Sequence, residues 1–375
     1  MKDINADFNI NKIGFIGFGL IGGSIARAIK SSHPKMLIFA YDYHEKSNKD
    51  LDDAKSEGVI DYITRDFAIG FSECDIIFLC APVMANLSYL EILKPIIKPD
   101  CIITDVGSVK SNIHEAVEKL NMQKVFIGGH PMTGSEKTGY HNSYALLLEN
   151  AYYILTPTSM TPDSNINTLR GLVEEMGSIP IILDPKEHDE ITAAISHLPH
   201  IIAAQLVNLI RKTDDSAQRM KQLSAGGFKD ITRIASSSPN MWQNICLTNS
   251  KLIKEILDQY IENLQDASHA LSDMDEEYLY HMFDTAGEYR NSIPSKSVGL
   301  INRIFEIYVD IMDEAGAIAT IATLLASNHI SIKNIGIIHN REFEEGVLRI
   351  EFYNETSEEA AKALLIRHNY HVYER

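Results

Sequence analysis

The sequence predicts an α/β domain on a doubly wound parallel sheet, then an all-helical domain, then a small ferredoxin-like βαββαβ domain. Three observations carry this division. Short apolar runs alternate with amphipathic helical patterns up to Asp184-Pro185. Only helical periodicity follows, from Lys186 to about Asn291. Beyond a linker-like stretch, Asn291 to Ser297, strand patterns return in the order βαββαβ.

In the first part the expected strands are Lys12–Gly17, Met36–Tyr41, Asp75–Leu79, Cys101–Asp105, Val125–Gly128, Tyr152–Leu155 and Ile179–Leu183. Several are continuous apolar runs, as strands covered on both faces of a parallel sheet must be. In the second part the expected helices are Lys186–Arg211, Gly227–Ala235, Met241–Asn249 and one long stretch from Ser250 to Glu288. Ile191, Ala194, Ile195, Leu198, Ile202, Leu206 and Leu209 give the first of these an apolar stripe. Such a helix needs a partner, and a second subunit supplies one, so a homodimer is expected. In the third part, Phe305–Ile311, Ile332–Ile338, Val347–Phe352 and Tyr370–Tyr373 read as strands, with helices over Ala315–Ala326 and Ser357–Arg367. The expected domains are therefore 1–184, 185–295 and 296–375.

Acidic side chains outnumber basic ones by 51 to 34, a net charge of −17, which argues against nucleic acid or an anionic membrane as the main partner. An anionic substrate would then require positive groups concentrated at its site. Cys74, Cys80, Cys101 and Cys246 form no CxxC pair or metal-ligand spacing and suit a reducing cytoplasm. The first residues lack the apolar core of a signal peptide, and no apolar stretch reads as long enough to span a bilayer. No zinc-type histidine pair is accompanied by a further ligand, so no metal is expected.

Gly17-Phe18-Gly19-Leu20-Ile21-Gly22 follows the first strand and opens a helix. Gly17 makes the tight turn, Gly19 lets backbone approach a pyrophosphate, and Gly22 lets helix and strand pack closely, with Leu20 and Ile21 between them at the helix start. The second strand ends in Asp42, where a carboxylate can bind ribose hydroxyls and repel a 2′-phosphate. This is a Rossmann-type arrangement, and it favours NAD over NADP.

Four further segments concentrate unusual residues. They are Asp105 to Lys110 (DVGSVK), Gly129 to Glu136 (GHPMTGSE), Ser196 to His200 (SHLPH) and Gly226 to Ala235 (GGFKDITRIA), the last followed by Pro239 to Trp242. The first two follow strand ends at the sheet's C-terminal edge, where open α/β sheets bind ligands. With the glycine segment, these closely resemble the prephenate and arogenate dehydrogenase family over almost the whole chain. Thr133 stands where the family often has alanine, a change of pocket shape that removes no chemical role. The C-terminal part resembles an ACT domain, an amino-acid-binding module.

The resemblance implies oxidative decarboxylation of prephenate to 4-hydroxyphenylpyruvate. It gives His130 the role of proton acceptor on the ring hydroxyl, and Ser108 that of a hydrogen-bonding partner to histidine and hydroxyl. It gives Arg233 the side-chain carboxylate, where a planar fork binds two oxygens. His200 and Ser135 would touch the substrate, and Glu136 would shape or gate the site. His197 reads as structural, Lys229 and Asp230 as a local charge network, and Trp242 as core or subunit interface rather than a stacking platform. The ACT-like part implies L-tyrosine as feedback inhibitor, held at Asp313, Gly316, Ala317 and Ile318, with Asn328 as a second contact. Arogenate as substrate, or both substrates, stays open. A different β-hydroxyacid dehydrogenase would favour a lysine within the helix Lys186–Arg211, where this chain has Ile-Ser-His-Leu-Pro-His. A non-catalytic sensor would not need the glycines, Asp42, His130 and Arg233 together.

Overall fold

The structure, a computed structural model, describes residues 10–43, 49–134, 137–293, 305–311, 316–338 and 346–373. The chain falls into two compact units, residues 1–288 and 289–375.

The first unit begins with β1 (Lys12–Ile16), α1 (Leu20–Ser32), β2 (Leu37–Tyr41), α2 (Lys49–Ser56), β3 (Tyr62–Ile63), α3 (Phe67–Phe71) and β4 (Ile76–Leu79). It continues with α4 (Val83–Leu93), β5 (Ile102–Asp105), α5 (Ser111–Lys119), β6 (Phe126–Pro131), β7 (Tyr152–Pro157), α6 (Asp163–Glu175) and β8 (Ile179–Ile182). The strands make one sheet in the order β3-β2-β1-β4-β5-β6-β7-β8. In β4, Ile76 and Phe78 join the core on one face with Ile13 and Phe15, while Ile77 and Leu79 join the other with Ile16 and Ile103. Burial on both faces is what makes these strands unbroken apolar runs.

The expectation of a wholly parallel sheet is corrected at one seam, since β7 runs antiparallel to β6 with His130 opposite Ile154. Among its described residues the connection between them holds two short 3₁₀ turns, Tyr140–Asn142 and Ala145–Leu148, and no crossover helix of the kind a parallel return needs. β3 is an addition to the expected strands. It is two residues long and has no apolar run to announce it.

Asp184 accepts a hydrogen bond from Lys186 N at 2.8 Å and, with Pro185 behind it, starts the helical part. α7 (Pro185–Thr192), a π turn (Ala193–His197) and α8 (Leu198–Thr213) run on as one helix. Then come α9 (Arg219–Leu223), α10 (Gly226–Thr232), a 3₁₀ turn (Arg233–Ser236), α11 (Pro239–Thr248), α12 (Ser250–Asp273) and α13 (Glu276–Ser292). The single stretch expected from Ser250 to Glu288 is two helices. Met274 breaks it in the left-handed region at φ 53°, and Asp275 caps the next helix by accepting from Tyr278 N. Asn291 and Ser292, expected in a linker, close α13 instead.

One expectation about membranes also needs correction. The helix Pro185–Thr213 is long and apolar enough, by length and composition, to cross a bilayer. Residues 191–210 contain no Asp, Glu, Lys or Arg. The same helix buries His188, Asp189 and His197 in a polar network, so its inner face is spent inside the protein. Ile195 and Leu209 remain exposed on it.

The second unit contains β9 (Phe305–Ile311), α14 (Ala317–Ser327), β10 (Ile332–Ile338), β11 (Gly346–Phe352), α15 (Glu355–Arg367) and β12 (Val372–Tyr373). Its antiparallel sheet has the order β10-β11-β9-β12, the ferredoxin-like arrangement, over a core that includes Ile307, Val309, Ile321, Leu325, Leu348 and Leu365. Gly316 enters α14 at φ +97°, a conformation that favours glycine. Ala317 and Ile318 form the first turn, and Asn328 closes the helix with Nδ2 donating to Leu324 O at 2.9 Å. Asp313 lies outside the described residues.

At the end of β1 the backbone needs glycine. Gly17 has φ +87°, and a Cβ there would lie 2.4 Å from Ala81 N. Gly17→Ala is expected to cost about 1–3 kcal/mol from the left-handed backbone alone, plus the clash with the β4 turn. Urea unfolding measures this, and an unchanged midpoint would contradict the close approach.

Candidate active site

The sheet order reverses direction between β1 and β4, and the β1–α1 turn sits at that switch point. A Cβ at Gly22 would be 2.8 Å from Gly17 O and 3.2 Å from Cys80 Cβ, so that glycine is needed for helix–strand contact. A Cβ at Gly19 would meet no protein atom within 4 Å. The turn is therefore tight beneath and open above, where the N-terminus of α1 ends. Leu20 and Ile21 follow, half-buried, and the helix's first turn holds no acidic residue to repel a phosphate. Asp42 follows β2 with Oδ1 accepting from Tyr43 N at 3.1 Å. These features fit a dinucleotide, with the pyrophosphate over Gly19 and a ribose at Asp42.

Across the same edge, β6 delivers His130 to its C-terminal end, 8% exposed. Nδ1 of His130 lies 2.7 Å from Nε2 of His188, and Nδ1 of His188 lies 2.7 Å from Oδ1 of Asp189. Asp189 also accepts from Lys110 N through Oδ1 and from Ser111 N through Oδ2, both at 2.8 Å. Burial pushes the Asp189 carboxyl up, but bonds from His188, Ser111 and Lys110 outweigh it and hold the pKa below its ordinary value. Lys110 turns its ammonium the other way, onto Asp105 and the Gly129 carbonyl. Asp105 accepts in addition from Gly107 N and Gly129 N. Ser108 thus sits half-buried in a loop held at both ends, between Asp105 and Lys110.

His130 is held far below the usual histidine pKa of 6.5, by burial first and then by His188, Lys110 and His197. It is therefore neutral at neutral pH, as a proton acceptor must be. His197 stands in the π turn, 1% exposed, with its Nδ1 3.3 Å from Asn249 Nδ2. Asn249 also donates to the Asp189 carbonyl at 2.9 Å. Among the described residues, no hydrogen-bond partner meets the buried Nε2 of His197.

His200 donates from Nδ1 to Ser196 O at 2.9 Å and stacks on Trp242, with ring centroids 3.7 Å apart. Trp242, expected in the core or at a subunit interface, is half-buried with its ring packed on His200. Arg233 is exposed at the head of the 3₁₀ turn, and its charge, after burial, helps lower the pKa of His200. Thr133 is tied to Leu147 O at 3.0 Å. Ser135 and Glu136 lie outside the described residues. The structure thus groups His200 with Arg233, and His130 with His197. Sequence reasoning missed His188, Asp189 and Asn249. The capped helix start at Asp184-Pro185 was their available signal, because it fixes α7 to the sheet's edge.

An open glycine turn at the switch point and a buried, neutral histidine on the neighbouring edge define a nucleotide-dependent oxidoreductase. Residues 25–182 match the prephenate dehydrogenase nucleotide-binding domain, and residues 184–285 match the prephenate dehydrogenase dimerization domain. The chain belongs to the prephenate dehydrogenase family. It is 39% identical to the prephenate dehydrogenase of Bacillus subtilis, over 92% of this chain and 93% of that one. It is 33% identical to the cyclohexadienyl dehydrogenase of Zymomonas mobilis, over 74% of this chain and 94% of that one. Among solved structures it is similar to prephenate dehydrogenase from A. aeolicus in complex with hydroxyphenyl propionate and NAD+. That likeness has a TM-score of 0.70 and 30% identity, over 76% of this chain and 98% of that one.

The buried histidines also set an acid limit. Burial takes His114 and His197 each down to about 4, with Lys110 adding to the effect at His114 and Asp189 opposing it at His197. Their unfolded values stand near about 6.5, so the unfolded chain takes up protons first. Stability is then full above about pH 6.5 and is lost as pH falls toward about 4. Urea midpoints across that window should fall with pH. His114→Gln should flatten the slope, since it removes a titrating imidazole whose Nε2 lies 2.9 Å from Thr156 Oγ1. Parallel slopes for the two proteins would contradict this.

Proposed function

We propose that this chain catalyses the NAD+-dependent oxidative decarboxylation of prephenate to 4-hydroxyphenylpyruvate. The observation that carries the reading is His130, buried, neutral and backed by an anchored polar chain at the edge beside the glycine turn. When bound, NAD+ accepts the hydride from the ring carbon bearing the hydroxyl. His130 takes the hydroxyl proton as that carbon becomes a carbonyl, and Ser108 orients the hydroxyl. Loss of CO2 then aromatises the ring, and the proton held on His130 returns to the phenolic oxygen. Arg233, with His200 beside it, binds the side-chain carboxylate. Ser135 and Glu136 belong to the same substrate pocket in this reading.

The domains are read as 1–184 for NAD, 185–295 for dimerisation and substrate, and 296–375 as an ACT-like regulatory part. Exposed Ile195, Leu209, Leu247, Leu264 and Phe283 on the helices support a homodimer formed through them. The four unpaired cysteines suit the cytoplasm.

Reduction of NAD+ followed at 340 nm, with prephenate and with arogenate, tests the activity. Arogenate as the better substrate would move the chain to the other branch of its family, and no turnover of either would overturn the reading. His130→Asn should lower kcat by about 10²–10⁴-fold with a smaller effect on KM. Arg233→Gln should chiefly raise KM, by the equivalent of about 2–5 kcal/mol if its bond to the carboxylate is desolvated. The reverse pattern would show the two roles misassigned.

L-Tyrosine is the proposed inhibitor, acting through the loop Asp313 to Ile318 and Asn328. The left-handed Gly316 at the start of α14 supports this, because it leaves backbone groups at a helix N-terminus open toward an amino acid. A chain truncated after Ser295 should keep its activity and lose tyrosine inhibition. Undiminished inhibition would place tyrosine at the active site instead.

A further inference from the structure

We infer that His188 and Asp189 are positioning residues that lock His130 in one tautomer, with the proton on Nδ1 and the lone pair on Nε2. The kinetic part of this inference rests on the proposed reaction; the tautomer itself does not.

The derivation follows the donors and acceptors in turn. Asp189 receives backbone N–H bonds on both oxygens, from Lys110 and Ser111, so it acts as an acceptor and cannot rotate without losing one of them. Its Oδ1 also lies 2.7 Å from His188 Nδ1, which must therefore carry hydrogen. In the inferred arrangement His188 is the neutral imidazole, since it has no exposed surface and its Nε2 faces a second imidazole at 2.7 Å. A neutral His188 then presents a bare Nε2. That atom accepts across 2.7 Å, so Nδ1 of His130 is the donor. The remaining nitrogen of His130, Nε2, is left as the base. In the opposite tautomer His130 would carry hydrogen on Nε2 and could not accept the substrate's proton there.

The arrangement also calls for an aspartate, not an asparagine, at 189. An asparagine there would present an NH2 to one of the three donors and break the chain at one point or another.

The test uses full-length protein labelled with ¹⁵N-histidine. Long-range ¹H–¹⁵N spectra of the wild type should show His130 protonated on Nδ1 alone. In His188→Phe that single tautomer should be lost. With prephenate and NAD+, kcat should fall by about 10–100-fold while KM changes by less than about threefold, a smaller loss than removing the base. His188→Gln offers an amide oxygen to His130 and an NH2 to Asp189, and should restore both the tautomer and kcat to within about threefold of wild type. A wild-type His130 protonated on Nε2 would overturn the inference. So would a His188→Gln variant as slow as His188→Phe. If His188→Phe does not fold, the wild-type spectrum and His188→Gln still decide. If wild type fails to turn over prephenate, the functional reading falls while the spectra still report on the lock.

Discussion

A carboxylate withdrawn from water must have its lone pairs occupied, and Asp189 meets that demand by drawing three parts of the chain together. The loop after β5 gives Lys110 N and Ser111 N, the first turns of α7 give His188, and Asn249 from the α11–α12 junction reaches the same residue's carbonyl. These segments carry or adjoin Ser108, His130 and His197. Their mutual placement is therefore set by one buried group on a helix, and the loops inherit its rigidity. Lys110 extends the effect into the sheet. Its backbone serves Asp189 while its side chain serves Asp105 and the Gly129 carbonyl, one residue before His130.

That use of Lys110 bears on substrate charge. In a chain with a net charge of −17, a dianion needs local cations, and Lys110 looks suitable from its place in the sequence. The structure commits it instead. Its side chain is fully buried against Asp105, so the pair presents little net charge to the pocket. In the proposed reaction, attraction for a carboxylate falls to Arg233, on an exposed turn beside the His200–Trp242 stack. Rigid, neutral chemistry at the sheet edge and a charged, more accessible anchor on the helical side are then physically separate duties.

The parts legible in the sequence were those with a strong local signature. β1, β4 and β5 were readable because burial on both faces favours an apolar run, unbroken in β4 and with polar residues only at the ends of β1 (Lys12) and β5 (Thr104 and Asp105). The glycine turn was readable because its three positions each answer a different steric need. Strand direction was not, since a period of two is the same up or down, and β7 fell to that ambiguity. His130, Ser108, Arg233 and His200 were singled out through segments with a family likeness. His188 and Asp189 were hidden for a physical reason: Glu187-His188-Asp189-Glu190 has the look of a solvated helix start, and only the tertiary contact with the β5 loop shows two of the four to be interior. The stack of Trp242 on His200 was hidden similarly, because it joins residues far apart in the chain.

The π turn at Ala193–His197 joins two stretches of helix with different duties. Before it lie His188 and Asp189, aimed at the sheet; after it lie His200 and the exposed Leu209. Each residue advances a helix by about 100°, so losing one residue here would swing everything beyond it by more than a quarter turn. His200 would leave Trp242, and the apolar stripe would face a new direction relative to the sheet. Side chains along this segment can be exchanged without disturbing that phase, whereas its number of residues cannot. Drift in this helix should consequently proceed by replacement of letters and almost never by insertion or deletion.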